Sequence, residues 1–266
     1  MSDRDELLSI VRAARTRIEL EGRAGLDALP LQIRPYRPAP PPAPKKSDGP
    51  PAWPKEGVRP SQNPDKMPEE LSEAAADKFD RLVGIEEEMG DCTRCKLAYN
   101  RTCLVFGVGN PGADVMFVGE GPGYEEDLSG EAFVGRAGKM LTDIIQNVLH
   151  LRRRDVYIAN IVKCRPPKNR NPQPDEVAAC SPFLERQIET IQPRILVALG
   201  GPAAKWLLET QVGITRLRGK FVEKYGALVM PTFHPAYLLR SPQEKRKTWE
   251  DMIKVRDMLA QIRESS

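Results

Sequence analysis

Three groups of residues in this chain have the types and spacing to do chemistry. The first is Val118-Gly119-Glu120-Gly121-Pro122-Gly123-Tyr124-Glu125-Glu126-Asp127, completed by Phe133-Val134-Gly135-Arg136-Ala137-Gly138. Glycine at alternate positions lets backbone amides approach a ligand with no Cβ in the way. An ordinary strand-to-helix turn needs one glycine or none, so the block reads as an active-site loop. The second is Phe233-His234-Pro235-Ala236-Tyr237-Leu238-Leu239-Arg240. Of the two histidines, His150 sits at a helix end beside Arg152, where it serves solvation or the helix dipole. His234 falls in a loop closed by proline, a place suited to handling a proton. The third group is the cysteines: Cys92 and Cys95 as C-x-x-C, Cys164 after an apolar run, Cys180 in a helical stretch, and Cys103 as the odd one out of five. Two further thiols at turn and helix positions favour a four-thiolate metal site over a redox pair. Spacing alone leaves zinc and iron–sulfur equally open, because both accept four thiolates. The bland alternative makes Cys164 and Cys180 small buried hydrophobes.

These groups need elements to hold them, and apolar runs supply candidates. Strands are expected at 114–118, 156–162, 194–199 and 227–230, and helices at about 74–89, 137–149, 174–191, 201–209 and 243–263. Apolar strands separated by amphipathic helices imply a three-layer α/β/α sandwich around a central, mostly parallel, four-stranded sheet. Ligands of such sheets bind beyond the carboxyl ends of the strands. The glycine block, Asn160 and the segment after Met230 all fall at such ends and are expected to share one crevice. A second glycine pattern, Gly107-Val108-Gly109-Asn110-Pro111-Gly112, matches a dinucleotide fingerprint in spacing. It precedes a strand where the fingerprint must open a helix, so it is rejected.

Composition narrows the rest. A net charge of +3 is compatible with a nucleic-acid partner without arguing for one. The runs Arg152-Arg153-Arg154 and Lys245-Arg246-Lys247 read as solvated surface. No apolar stretch approaches membrane-spanning length and the first residues lack signal-peptide character, so a cytoplasmic protein with reduced thiols is expected. Residues 1–28 contain an amphipathic helical pattern at 4–21. Residues 29–72 are crowded with proline and read as a disordered linker, and 73–266 form the globular domain. The linker is expected to be a spacer, and the amphipathic segment a docking element for a repair or replication protein.

The glycine block, YIANIVKCRPPKNRNP, the helix carrying Cys180, ILVALGGPAA and HPAYLLR together resemble family 4 uracil-DNA glycosylases over about residues 80–262. The resemblance implies a structural 4Fe–4S cluster on Cys92, Cys95, Cys164 and Cys180. It implies a bacterial enzyme, a monomer, acting on uracil-containing DNA, single- or double-stranded, to begin base excision repair. Glu131-Ala132 stand where the family has a basic residue and proline, and Tyr124 replaces a common acidic residue. No histidine occurs in the Asn169-Arg170-Asn171 region, where a covalent-adduct branch carries one.

On this resemblance, the nucleotide is flipped into a pocket. Phe133 stacks on the base, Asn160 reads its edge, and Gly119 and Gly121 line it. His234 donates toward O2 of the departing anion, with the Glu120 and Gly121 amides adding donors. Glu120 either orients water or holds the loop, and Gly121 occupies the place of the water-aligning aspartate of a sister branch. Arg136, Arg240 and Tyr237 are expected to contact DNA, and Tyr124 is one candidate for excluding thymine. The alternatives are a non-catalytic metal-cluster module that binds nucleic acid and a thiol-redox protein. Neither needs Asn160, Phe133 and His234 together.

Overall fold

The computed structural model describes residues 73–265. The expected helical pattern at 4–21, the 1–28 segment and the linker over 29–72 lie outside them.

Six strands form one sheet: β1 (Val108–Gly109), β2 (Val115–Gly119), β3 (Tyr157–Asn160), β4 (Ile195–Leu199), β5 (Val222–Lys224) and β6 (Ala227–Thr232). Their order is β1-β3-β2-β4-β6-β5. The four inner strands are parallel, and β1 and β5 close the two edges antiparallel. The expected four-stranded sheet is therefore corrected to six, with the expected four at its centre. The two extra strands are two and three residues long and incompletely buried. Edge strands so short carry no apolar run to read, and their brevity limits edge-to-edge pairing.

The helices are α1 (Glu73–Met89), α2 (Tyr124–Ser129), α3 (Arg136–Asn147), α4 (Pro174–Ile191), α5 (Gly201–Leu207), α6 (Ile214–Leu217), α7 (Pro235–Arg240) and α8 (Lys245–Glu264). Side chains alternate across the inner strands, so each strand feeds both faces. Met116, Val118, Tyr157, Ala159, Leu196 and Ala198 pack with α1, α4 and α5 on one side. Val115, Phe117, Ile158, Ile195 and Val197 pack with α3, α7 and α8 on the other. Fully buried Phe117 alone is worth about 1.5–3 kcal/mol of transfer free energy.

Local rules explain why the helices begin where they do. α4 opens on Pro174 with Asp175 and Glu176 in its first turn, which suits the missing N–H and the positive end of the dipole. Buried Glu176 accepts from Gln173 N at 2.7 Å and from both Arg170 terminal nitrogens at 2.8 and 2.6 Å, which pins the loop before the helix. Those contacts hold its carboxyl below the usual range, the Arg170 hydrogen bonds contributing most. α2 carries Glu125, Glu126 and Asp127 at its start and ends on Gly130 in the left-handed region.

β3 is shorter than the expected 156–162 because the chain turns after Asn160. Ile161 N and Val162 N then donate to the carbonyls of Gly119 and Glu120 at 3.0 and 3.2 Å. The turn is thereby stitched to the glycine block. Gly119 and Asn160 are the last register pair of β2 and β3, and β6 ends two residues before His234. Gly107 precedes edge strand β1 and Gly109 is its second residue, so the pattern does not open the helix that a dinucleotide fingerprint requires.

Candidate active site

A cavity of about 520 Å³ lies beyond the carboxyl ends of the strands. Glu120, Gly121, Phe133, Asn160 and His234 all line it, so three separate strand ends converge as the sequence implied.

Asn160 is the floor. It is 1 % exposed, and among the described residues its Oδ1 has no hydrogen-bond partner. A buried acceptor left unmatched costs about 1–3 kcal/mol, so the fold holds it ready for a donor that the protein does not supply. Gly119, expected to line the pocket, is not among its lining residues and instead lies against the Asn160 amide and the Phe133 ring. A Cβ there would overlap Asn160 Oδ1 and come within 2.8 Å of the Phe133 ring, so only glycine lets amide and ring close on each other.

Phe133 adopts φ +56°, a left-handed conformation that a bulky side chain avoids. Several groups impose it. Glu126 Oε1 accepts from Val134 N and Gly135 N, both at 3.0 Å, and its Oε2 accepts from Gly123 N at 3.0 Å. Arg153 donates to the carbonyls of Ala132 and Phe133 at 2.7 and 3.1 Å. Gly138 is pressed so close to the Phe133 carbonyl that no side chain fits there. The Phe133 ring lies 5.6 Å from the His234 ring, tilted by 33°.

His234 caps α7. Its Nδ1 accepts from Ala236 N at 3.1 Å, which assigns the proton of the neutral ring to Nε2. Burial, aided by nearby Arg240 and opposed by Glu126, pushes its pKa down to about 4. The imidazole is therefore uncharged at neutral pH and offers one N–H. Gly200, at the turn after β4, comes within 3.0 Å of His234 Cβ when given a Cβ of its own, so it too must stay small. Glu120 is half-buried and desolvation raises its carboxyl above the usual range.

The predicted DNA-contacting residues separate. Arg136 and Arg240 are exposed on the rim of the cavity. Tyr237 is not among its lining residues, and its ring packs on Phe233 with 5.1 Å between centroids. Tyr124 lines the solvent side at 56 % exposure, with the Arg165 guanidinium 4.9 Å over its ring. Arg153 corrects the reading of its run as solvated surface, because it is half-buried under the Phe133 turn. Glu126 went unassigned as well, although its place three residues after Gly123 is the spacing of a capping carboxylate. His150 is exposed after α3, as expected.

The thiols occupy the α1–α4 side of the sheet. Cys164 and Cys180 are buried, and half-buried Cys92 and Cys95 pack against the same core. Arg94 donates to Cys92 Sγ at 3.5 Å, Arg101 to Cys164 Sγ at 3.3 Å, and Lys163 N to Cys180 Sγ at 3.3 Å. Burial pushes the Cys164 thiol up to about 11 against the pull of Arg101. Cys103 stands apart, half-buried near the Leu128 carbonyl.

A doubly wound α/β sandwich with an unmatched amide, an aromatic ring and a neutral imidazole around one pocket is a protein built to take a flat polar ring. The chain belongs to the uracil-DNA glycosylase superfamily, whose family pattern matches residues 106–253. It is 47% identical over 188 residues to a type-4 uracil-DNA glycosylase of Sulfurisphaera tokodaii, covering 68% of this chain and 86% of that protein. Against the type-4 enzyme of Saccharolobus solfataricus it is 45% identical, covering 68% and 88%. Against that of Thermotoga maritima it is 48% identical, covering 66% and 93%.

Proposed function

We propose that this protein is a uracil-DNA glycosylase that flips deoxyuridine out of DNA and hydrolyses its N-glycosidic bond, beginning base excision repair. The observation that carries the reading is the buried, unpartnered Asn160 Oδ1 at the floor of a pocket walled by Phe133 and His234. Uracil offers N3–H to that oxygen and O4 to the amide nitrogen. Cytosine reverses both, so binding it would leave buried polar groups unmatched. Phe133 supplies a stacking face worth about 1–3 kcal/mol without choosing among bases. Flipping costs a few kcal/mol, and least at a mismatch.

As the bond breaks, charge develops on the departing ring. The neutral His234 Nε2–H is available to donate toward O2, and a preorganised donor of this kind is worth roughly 3–4 kcal/mol. No acid is needed to make it a donor, since its proton is already on that nitrogen. Desolvated Glu120, on the same loop, orients water or braces the glycine turn. Arg136 and Arg240 receive the DNA backbone at the rim. The exposure of Tyr124 suits contact with the strand better than exclusion of a C5 methyl.

The four cysteines form a donor set suited to an iron–sulfur cluster. Four thiolates would hold zinc or an iron–sulfur cluster equally well, and the resemblance to family 4 enzymes is what favours the cluster. Bound there, it would tie the Cys92–Cys95 loop to α4 and to the turn after β3. Among the described residues no helix is long and apolar enough to cross a membrane. On this reading the protein works as a monomer, and residues 1–72 are a tether outside the chemistry. Single-turnover release of uracil from a labelled oligonucleotide, with cytosine and thymine strands beside it, tests the proposal. Release of none of the three would refute it.

A further inference from the structure

One titratable group in the core has no part in the chemistry above. Lys163 is fully buried, which lysine almost never is unless an anion is at hand. Its Nζ donates to the Asn160 carbonyl at 2.9 Å and to Gln187 Oε1 at 2.6 Å, and lies 5.8 Å over the Phe106 ring. Gln187 is itself fixed, donating to the Phe106 carbonyl at 3.1 Å and the Tyr157 hydroxyl at 3.3 Å. None of these partners is charged. The anionic side of the arrangement is the thiol site: the Lys163 backbone N–H meets Cys180 Sγ at 3.3 Å, and the next residue is Cys164.

We infer that Lys163 is a positioning residue joining the four-thiol site to the base-reading amide, so that the charge on one and the placement of the other are coupled through one side chain. The inference rests on the proposed glycosylase reading and deepens it. A four-thiolate iron–sulfur cluster carries net negative charge, which is the counter-charge a buried ammonium requires. The same ammonium clamps the carbonyl of Asn160, whose side chain forms the pocket floor. Gln187 stands seven residues after Cys180 on α4 and braces the lysine. A neutral side chain of similar length would fill the space but hold neither the carbonyl nor the charge.

The test uses full-length, iron-loaded protein and three variants: Lys163→Met, Lys163→Arg and Gln187→Leu. Iron content, the midpoint reduction potential of the cluster and single-turnover uracil release are measured on each. Lys163→Met is expected to keep its iron, shift the potential to a more negative value, and lower release by about 10–100-fold, the scale for residues that support a metal site from behind its ligands. Lys163→Arg is expected to return the potential toward that of the parent. If Lys163→Met fails to fold, Gln187→Leu decides: it keeps the charge, so reduced release at an unchanged potential is expected. A parental release rate in Lys163→Met, or in Gln187→Leu where that variant decides, overturns the inference. So does an unchanged potential in Lys163→Met, whatever its rate, and so does parent protein that binds no iron. Parent protein that binds iron yet releases no uracil refutes the glycosylase reading instead, while the potential still reports on Lys163.

Discussion

Truncating Asn160 to alanine separates the cost of this site from its use. Among the described residues its buried Oδ1 has no partner, a penalty of about 1–3 kcal/mol that the substitution removes. Asn160 lines the pocket, so alanine enlarges an existing cavity instead of opening a separate void. Asn160→Ala is therefore expected to be as stable as the parent or about 1–2 kcal/mol more stable. Truncation of an ordinary buried side chain instead costs about 2–5 kcal/mol. Activity moves the opposite way. Two edge contacts to uracil are lost, at about 1.5–3 kcal/mol each, so release should fall by about 10²–10⁴-fold. Denaturant midpoints of iron-loaded protein and single-turnover release, on the same preparation, provide the assay. A loss of 2 kcal/mol or more, or release within tenfold of the parent, would refute the assignment of Asn160 as a preformed reader.

His234→Ala should slow single-turnover release by about 10²–10³-fold, the scale for one lost donor, with DNA affinity measured in parallel and little changed. In ¹⁵N spectra, assigned with a His150→Ala variant, the His234 imidazole should stay neutral until pH approaches about 4. The unfolded chain takes up that proton near pH 6.5, so His234 should make the fold less stable as pH falls through that window, and denaturation at stepped pH reads the slope. Cys164→Ser and Cys180→Ser should lose iron and solubility together while Cys103→Ser keeps both; metal analysis finding stoichiometric zinc in the parent would contradict the cluster. A chain beginning near Glu70 should bind iron and release uracil at close to the parental single-turnover rate, and a large loss would place residues 1–72 in the chemistry.

Long elements with a clear period were legible in the sequence. α4 was expected at 174–191 and spans Pro174–Ile191, because proline and two acids mark its start and a sustained apolar face its length. The four inner strands were legible as apolar runs because both of their faces are covered. What failed to show were β1 and β5, and the bonds that shape the turn after α2. Arg153 looks like its neighbours in a basic run, yet it alone reaches the Phe133 carbonyl. That contact joins residues 20 apart in sequence, and no local pattern encodes it. The unmatched oxygen of Asn160 was hidden for the same reason, since it depends on what the rest of the fold omits.

The features that break local rules gather in one place. Phe133 takes a left-handed backbone, Asn160 keeps an acceptor unsatisfied, and His234 is half-buried without its charge. Each costs stability, and each is enforced by ordinary structure around it: Glu126 and Arg153 on the Phe133 turn, Gly119 and Gly138 by leaving room, and the Ala236 amide on the imidazole. Departures from local consistency that the surroundings over-determine are the mark of a site organised before its ligand arrives. A flipped base would then find ring, amide and imidazole already in register, so little of its binding energy would be spent ordering the protein. The unfavourable step left is extrusion of the nucleotide from the stack, and that cost falls where pairing is weakest. On the proposed reading, preorganisation of this kind would make damage detection depend on the DNA's readiness to open, while Asn160 would select which opened base is cut.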